Sequence, residues 1–133
     1  MEGTREGVVA ERTTLHSLVP LVQVHSVPRS IEFYAKLGFR VSSTQPREGD
    51  SEPVWAWLQA GGAHLMVSRT GESVDSGRQA VLFYLYTPDV DAFRTELIAK
   101  GVQAGVIECP FWAPRGEFRV EDPDGYVLMV THT

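Results

Sequence analysis

Few side chains in this sequence suit acid–base or metal chemistry. The chain has four histidines and one cysteine. A metal site that combined His25 or His64 with Glu108 or Glu117 would have no supporting ligand spacing. Cys109 precedes Pro110 and is interpreted as a small, partly buried residue. His64, which lies in an apolar stretch, is the histidine best placed to orient a ligand.

Aromatic side chains are the residues with the clearest binding chemistry. Two Trp and two Tyr alternate with apolar residues in two short stretches, and a Phe-Trp pair follows Pro110. Aromatic rings bury large areas and stack on planar groups, with about 0.5–1.5 kcal/mol per pair beyond the area term. An aromatic pocket is therefore predicted, oriented by Gln23, His64 and the tyrosine hydroxyl groups.

Composition limits the class of protein. The chain of 133 residues is 43% hydrophobic and 22% charged, as expected of one globular domain. Its net charge of −5 argues against a nucleic-acid partner. A single cysteine fits a reducing compartment, and no apolar run approaches the roughly 20 residues of a membrane span. We expect a cytoplasmic protein without a membrane partner, with residues 1–16 as a polar N-terminal arm that lacks a signal-peptide core.

The chain contains an internal repeat. Residues 62–70 and 125–133 share Gly, Leu, Met, Val and a final Thr at an offset of 63 residues. The same offset aligns Gly38 with Gly101, and it aligns the apolar runs near the start of each copy. Several coincidences in one register indicate two copies of one structural unit.

Each copy has the pattern of one strand, one helix and three further strands. Helices are predicted over Ser30–Leu37, with Pro28 in the first turn, and over Val90–Lys100, and a glycine ends each one. Apolar and alternating runs predict strands at 18–27, 39–44, 54–59, 64–69, 80–87, 102–107, 116–121 and 126–131. The predicted fold is α+β. A single domain over 17–133 comprises two tandem βαβββ modules, at 17–70 and 80–133, joined by a linker at 71–79, and their mixed sheet forms a cup.

Three motifs carry a resemblance to a known family. They are Ser30-Ile31-Glu32-Phe33-Tyr34 with Leu37-Gly38-Phe39, the segment from Trp57-Leu58 to Gly61-Gly62, and Glu121-Asp122-Pro123-Asp124-Gly125-Tyr126. With them, residues 18–133 resemble the vicinal oxygen chelate superfamily, which includes glyoxalase I, bleomycin-resistance proteins, fosfomycin-resistance proteins and ring-cleaving dioxygenases. The resemblance implies a homodimer in which modules of two chains complete each cup. It leaves the activity open, because one fold hosts many functions.

The resemblance also implies where metal ligands would stand. Metal-dependent members place a His, Glu or Gln on the first and last strand of each module. The corresponding positions here are Val19, Met66, Leu82 and Met129, all of them apolar. Divalent cations of these enzymes need imidazole or carboxylate ligands, whereas thioether sulfur suits Cu(I). The resemblance therefore implies a metal-free protein without a cofactor, close in character to the bleomycin-resistance proteins.

Strand alternation assigns the remaining side chains to two faces. Residues at i and i+2 from the four apolar positions are expected to face the cup, and the residues between them are expected to pack under the helices. The predicted ligand-binding residues are Gln23, Trp55, Trp57, His64, Met66, Tyr84, Tyr86, Trp112 and Met129. Glu117 and Glu121, which alternate near Arg115 and Arg119, are interpreted as a solvated charge ladder.

These observations predict a protein that binds and sequesters a small aromatic or cationic ligand, as in antibiotic resistance by bleomycin-resistance proteins. No catalytic residue is predicted. One alternative is a glyoxalase, lyase or dioxygenase of the same superfamily with a displaced or absent metal site. Another is a dimeric scaffold without a ligand. The sequence leaves open whether the two modules pair within one chain or between two chains.

Overall fold

The computed structural model describes residues 15–46, 52–75, 78 and 80–133. The first module comprises β1 (Leu21–Val24), α1 (Val27–Lys36), β2 (Arg40–Gln45), β3 (Trp55–Ala60) and β4 (Ala63–Arg69). The second comprises β5 (Leu82–Thr87), α2 (Val90–Ala99), β6 (Glu117–Glu121) and β7 (Val127–His132). Most of the predicted arm at 1–16 and parts of the 45–53 loop and the 71–79 linker lie outside the described residues. No helix in the described ranges is long and apolar enough to cross a membrane.

Two mixed sheets form the framework. The first has the strand order β1-β4-β3-β2, and the second has the order β5-β7-β6. The first strand of each module runs parallel to the last, and the other pairs are antiparallel. The modules therefore repeat one topology, and the predicted α+β fold of two modules is confirmed.

The two helices follow the repeat closely. Each has ten residues, and their first residues, Val27 and Val90, are 63 positions apart. The side chains of Ser26 and Asp89 cap the N-termini by accepting hydrogen bonds from backbone amides in the first turn. Past the C-termini, Gly38 and Gly101 have φ angles of 104° and 85°, which residues with a Cβ rarely adopt.

The strand predicted at 102–107 was wrong. The segment is hydrogen-bonded to β6 only by the Gly105 amide, which donates to the Arg119 carbonyl. Just after it, Glu108 forms an isolated bridge with Glu117. A Cβ at Gly105 would lie 3.3 Å from the Arg119 carbonyl oxygen, so the backbones approach closely without a regular ladder. The prediction for Cys109 was also wrong, because this residue is exposed on the following loop.

The core lies between the sheets and the helices. Burial alternates along β1, β3 and β4, so that every second residue of these strands lies in the core and its neighbours face away. The buried strand residues include Val22, Val24, Ala56, Leu58, Leu65, Val67, Phe118, Val120, Leu128 and Val130. They form one cluster with Tyr34, Leu37, Val90 and Leu97 from and beside the helices. The inward facing predicted from alternation is confirmed for Val22, Val24, Ala56, Leu58, Leu65, Val67, Leu128 and Val130.

A buried polar contact joins the modules. The Tyr34 hydroxyl on α1 donates to Asp122 Oδ2 at 2.7 Å, across 88 residues of sequence. The other carboxylate oxygen of Asp122, Oδ1, accepts hydrogen bonds from the backbone amides of Asp124 and Tyr126. Burial raises the pKa of Asp122, and these hydrogen bonds partly oppose that rise. Burial, followed by the nearby Asp122 carboxylate, raises the pKa of Tyr34 far above its ordinary range.

Two further bonds extend this contact. The His25 amide donates to Asp124 Oδ1 at 3.0 Å, and the Tyr126 hydroxyl donates to the Gln23 carbonyl at 2.8 Å. The turn between β6 and β7 is therefore tied to the end of β1 and to α1. We call Tyr34, His25, Asp122 and Asp124 the module joint. It fixes the position of the second sheet relative to the first.

Candidate ligand-binding faces

The first sheet presents an aromatic face away from α1. Leu21 on β1 lies beside Met66 on β4, which lies beside Trp57 on β3. One row along, Gln23 lies beside Ser68 and Ser68 lies beside Trp55. Both tryptophans and Met66 are half-buried, and Leu21 and Gln23 are exposed. All five predicted first-module residues lie on these three strands, and we call this surface the first face.

A hydrogen bond on the first face indicates which tautomer His64 adopts. The Trp57 indole Nε1–H lies 3.0 Å from His64 Nδ1, and the ring centroids are 5.8 Å apart. An indole nitrogen can only donate, so Nδ1 must accept. Neutral His64 therefore carries its proton on Nε2, where it can donate to an acceptor on a ligand.

The second sheet presents a matching face. Tyr86 on β5 lies beside Thr131 on β7, and Tyr84 lies beside Met129. The tyrosine rings are tilted by 32° with centroids 6.4 Å apart, and the residues are 41% (Tyr84) and 65% (Tyr86) exposed. Leu82, one row further, is also exposed. We call this surface the second face.

Trp112 and Glu117 form a contact that the sequence analysis missed. Glu117 is only 5% exposed, so its assignment to a solvated charge ladder was wrong. The Trp112 Nε1–H donates to Glu117 Oε2 at 3.3 Å, and the Thr131 hydroxyl donates to Glu117 Oε1 at 3.2 Å. The Phe111 ring packs edge-on against Trp112, with centroids 5.0 Å apart. The one available signal was alternation, which places Glu117 on the same face as Thr131 once β6 pairs with β7.

The nine predicted residues fall into two groups. Gln23, Trp55, Trp57, His64 and Met66 belong to the first face, and Tyr84, Tyr86, Trp112 and Met129 belong to the second. Within the described ranges, the ring contacts that involve these residues do not cross from one face to the other. Their grouping into one pocket stays a prediction, because His64 and Tyr84 are the only members of the two groups that line a common cleft among the described residues.

Several clefts lie in the described chain. One of about 310 Å³ is lined by Gln23, Thr70 and Tyr126, and one of about 580 Å³ lies between α1 and residues 101–105. Two more, of about 420 Å³ and 300 Å³, lie between β5 and the turn from β3 to β4. Tyr84 lines both of the latter, and His64 lines one. The broad aromatic surfaces of Trp55, Trp57 and Trp112 lie outside these four clefts.

The four positions that the resemblance implies for metal ligands carry apolar side chains. Val19, Met66 and Met129 are half-buried and Leu82 is exposed. Within the described residues, no three His, Cys, Asp or Glu side chains gather closely enough to hold a metal ion. The donors on the faces are an imidazole, hydroxyl groups, amides and one buried carboxylate. Such groups can bind and orient an organic ligand.

Comparison with known proteins identifies the family. The family model described as Glyoxalase/Bleomycin resistance protein/Dioxygenase superfamily matches residues 14–130. The chain therefore belongs to this superfamily, as its motifs predicted. No curated protein matches the chain.

Solved structures of low sequence identity share the fold. A bleomycin-binding protein in complex with bleomycin has a TM-score of 0.72 at 19% identity, with 90% of this chain and 99% of that chain covered. A bleomycin resistance determinant encoded on the transposon Tn5 has a TM-score of 0.73 at 20% identity, with 90% and 98% covered. TioX from Micromonospora sp. ML1 has a TM-score of 0.73 at 23% identity, with 89% and 98% covered.

Proposed function

We propose that this protein is a metal-free binder that sequesters a small aromatic or cationic ligand. One observation carries the proposal: two open aromatic faces occur in a chain whose four positions corresponding to the metal ligands of the family are all apolar. Trp57 and Tyr84 lie in the rows that contain Met66 and Met129, where metal-dependent members need a polar ligand. The faces therefore offer stacking area and hydrogen bonds in place of Lewis-acid chemistry.

A second copy of the chain would complete the site. Leu21, Leu82 and Tyr86 are 47%, 49% and 65% exposed, and apolar patches of this kind mark interaction surfaces. In the proposed homodimer, the first face of one chain meets the second face of its partner. Two equivalent cups result, each with Trp55 and Trp57 on one wall and Tyr84 and Tyr86 on the other.

The ligand class follows from the groups on the two faces. The rings favour a planar or aromatic body, and His64 Nε2–H offers a donor to a ligand oxygen or nitrogen. The net charge of −5 favours a cation at long range. Bleomycin bound to a structural neighbour is a precedent for a ligand of this kind in the same fold. Sequestration needs tight binding alone, which agrees with the absence of a predicted catalytic residue.

A ligand screen by tryptophan fluorescence tests the proposal. All three tryptophans of the chain, Trp55, Trp57 and Trp112, belong to the predicted site, so their emission reports on it directly. We expect saturable changes with planar aromatic cations, and a loss of affinity in Tyr86→Ser. The control Ile98→Ser removes an exposed apolar side chain from α2, remote from both faces, and should bind as the wild type does.

Metal content and mass complete the test. Elemental analysis after exposure to Ni, Zn, Mn and Fe salts should find no stoichiometric metal, and the particle mass should be twice the 14.7 kDa of one chain. A retained metal together with turnover of glyoxalase or catechol substrates would instead support the enzyme alternative. A strictly monomeric protein would remove the two-chain cup.

A further inference from the structure

Glu117 is a buried carboxylate for which the described residues supply no cation. Glu117 is 5% exposed, and its carboxylate accepts two hydrogen bonds, both from the neutral donors Trp112 and Thr131. The nearest basic residues along the strand are engaged elsewhere. Arg119 bonds Glu121 at 3.1 Å, and Arg115 bonds the Thr133 carbonyl at 3.1 Å. Buried carboxylates are normally paired with a positive group, so this one stands out.

The carboxylate also fixes the orientation of an exposed indole. Trp112 is 60% exposed, yet its Nε1–H edge points at Glu117. Because the edge is held, the ring face remains available to a ligand. A negative charge beside the N–H edge adds to the negative potential of the indole face, which attracts cations. Tyr86 lies beside Thr131 in the row that contains Glu117, so an aromatic surface adjoins this indole.

We propose that Glu117 is a positioning residue that makes Trp112 a platform for the cationic group of the ligand. The inference rests on the proposed function and narrows it: the ligand carries a quaternary ammonium or protonated amine group on an aromatic body. The cation lies over the Trp112 ring, with the Glu117 charge behind its edge, and the aromatic body lies toward Tyr86.

Two isosteric probes test this inference. The cation 3-hydroxyphenyltrimethylammonium and the neutral 3-tert-butylphenol have the same shape and differ in charge. Titration calorimetry and tryptophan fluorescence give the affinity of each for the full chain. Since a partly desolvated cation–π contact contributes about 1–2 kcal/mol, we expect the wild type to prefer the cation by about tenfold.

Three variants separate the charge of Glu117 from its structural role. Glu117→Gln keeps the shape and an acceptor for Trp112 but removes the charge, so the preference should fall to about threefold or less. The affinity for the neutral probe should stay within twofold. Glu108→Gln makes the same charge change at the exposed bridge partner and should keep the full preference. Trp112→Phe replaces the exposed indole with a ring that has no N–H group to bond Glu117, and it should also lose the preference. Because Glu117 is unchanged in this variant, the result does not depend on how Glu117→Gln affects folding.

The outcomes are distinguishable. Equal wild-type affinities for the two probes, or an unchanged preference in Glu117→Gln, would overturn the role of Glu117 and leave the aromatic binder standing. Failure of both probes and of the wider fluorescence screen to bind saturably would remove the proposed function together with this inference.

Discussion

Replacing Tyr34 by Phe removes one oxygen atom from the module joint. The ring can keep its edge contacts with Phe33 and Phe39, whose centroids are 5.1 Å and 5.6 Å away. The lost hydroxyl donates to Asp122 at 2.7 Å, and the carboxylate retains the two amide bonds to its other oxygen. A hydrogen bond to a charged group contributes about 1.5–3 kcal/mol, and this one is buried on both sides. We therefore expect the unfolding free energy to fall by about 2–3 kcal/mol.

Urea denaturation followed by circular dichroism measures this change. Tyr126→Phe is the matched control, since it removes another cross-module phenol hydrogen bond, that to the Gln23 carbonyl at 2.8 Å, in an exposed setting. The control should cost about 0.5–1 kcal/mol. A double-mutant cycle with Asp122→Asn isolates the coupling, expected at about 1.5 kcal/mol or more. A loss below about 0.5 kcal/mol for Tyr34→Phe would refute the assignment of this contact as the main polar link between modules.

Three further perturbations follow from the same structure. Above pH 10, the ordinary tyrosine pKa of 10.0 lets the unfolded chain release the Tyr34 proton while the folded chain keeps it. The free energy of unfolding of the wild type should therefore fall as the pH rises, with a slope steeper than that of Tyr34→Phe by about 1.4 kcal/mol per pH unit. Parallel pH curves of the two proteins would contradict this. Gly116→Ala places a Cβ 3.0 Å from an Ile107 methyl group at a φ of 111°, and should lower the free energy of unfolding, measured by thermal unfolding, by about 2–4 kcal/mol. Gly38→Ala is the control: its φ is also positive, but its Cβ meets no atom within 4 Å, so the loss should be about 1–2 kcal/mol. His64→Leu should change the tryptophan emission, because the Trp57 indole loses the acceptor of its hydrogen bond. His64→Asn, whose amide oxygen can replace Nδ1 as the acceptor, should change it less, and equal emission of the wild type and His64→Leu would argue against this contact.

Local patterns predicted the framework well. The 63-residue repeat and the glycines after each helix anticipated both modules, and alternation assigned Val22 and Val24 to the core and Gln23 to the open side. These features depend on the spacing of residues along one element, which the sequence displays directly. The segment at 102–107 misled because it is apolar like a strand, but it makes only one backbone hydrogen bond to β6, from the Gly105 amide, and forms no regular ladder.

Long-range contacts could not be predicted in the same way. Glu117 looks like a surface charge beside Arg115 and Arg119, and it is buried only because Trp112 and Thr131 reach it from a loop and from another strand. Asp122 begins the turn between β6 and β7, but its bond to Tyr34 spans 88 residues and leaves no local trace. Whether the two faces form one cup depends on how the modules pair, within one chain or between two, which alternation within one sequence cannot describe.

The module joint also bears on how the two halves of this chain have diverged. The hairpin of the first module turns tightly at Gly61, with a φ of 57°, whereas the matching hairpin of the second carries Asp122 and Asp124 into the joint. The repeated units are therefore no longer interchangeable, because only one hairpin can lock onto the other unit. In a paired cup the walls differ in kind: a neutral wall with Trp57 and His64 opposes an acidic wall with Glu117. A ligand with chemically distinct ends would enter such a cup in one direction only.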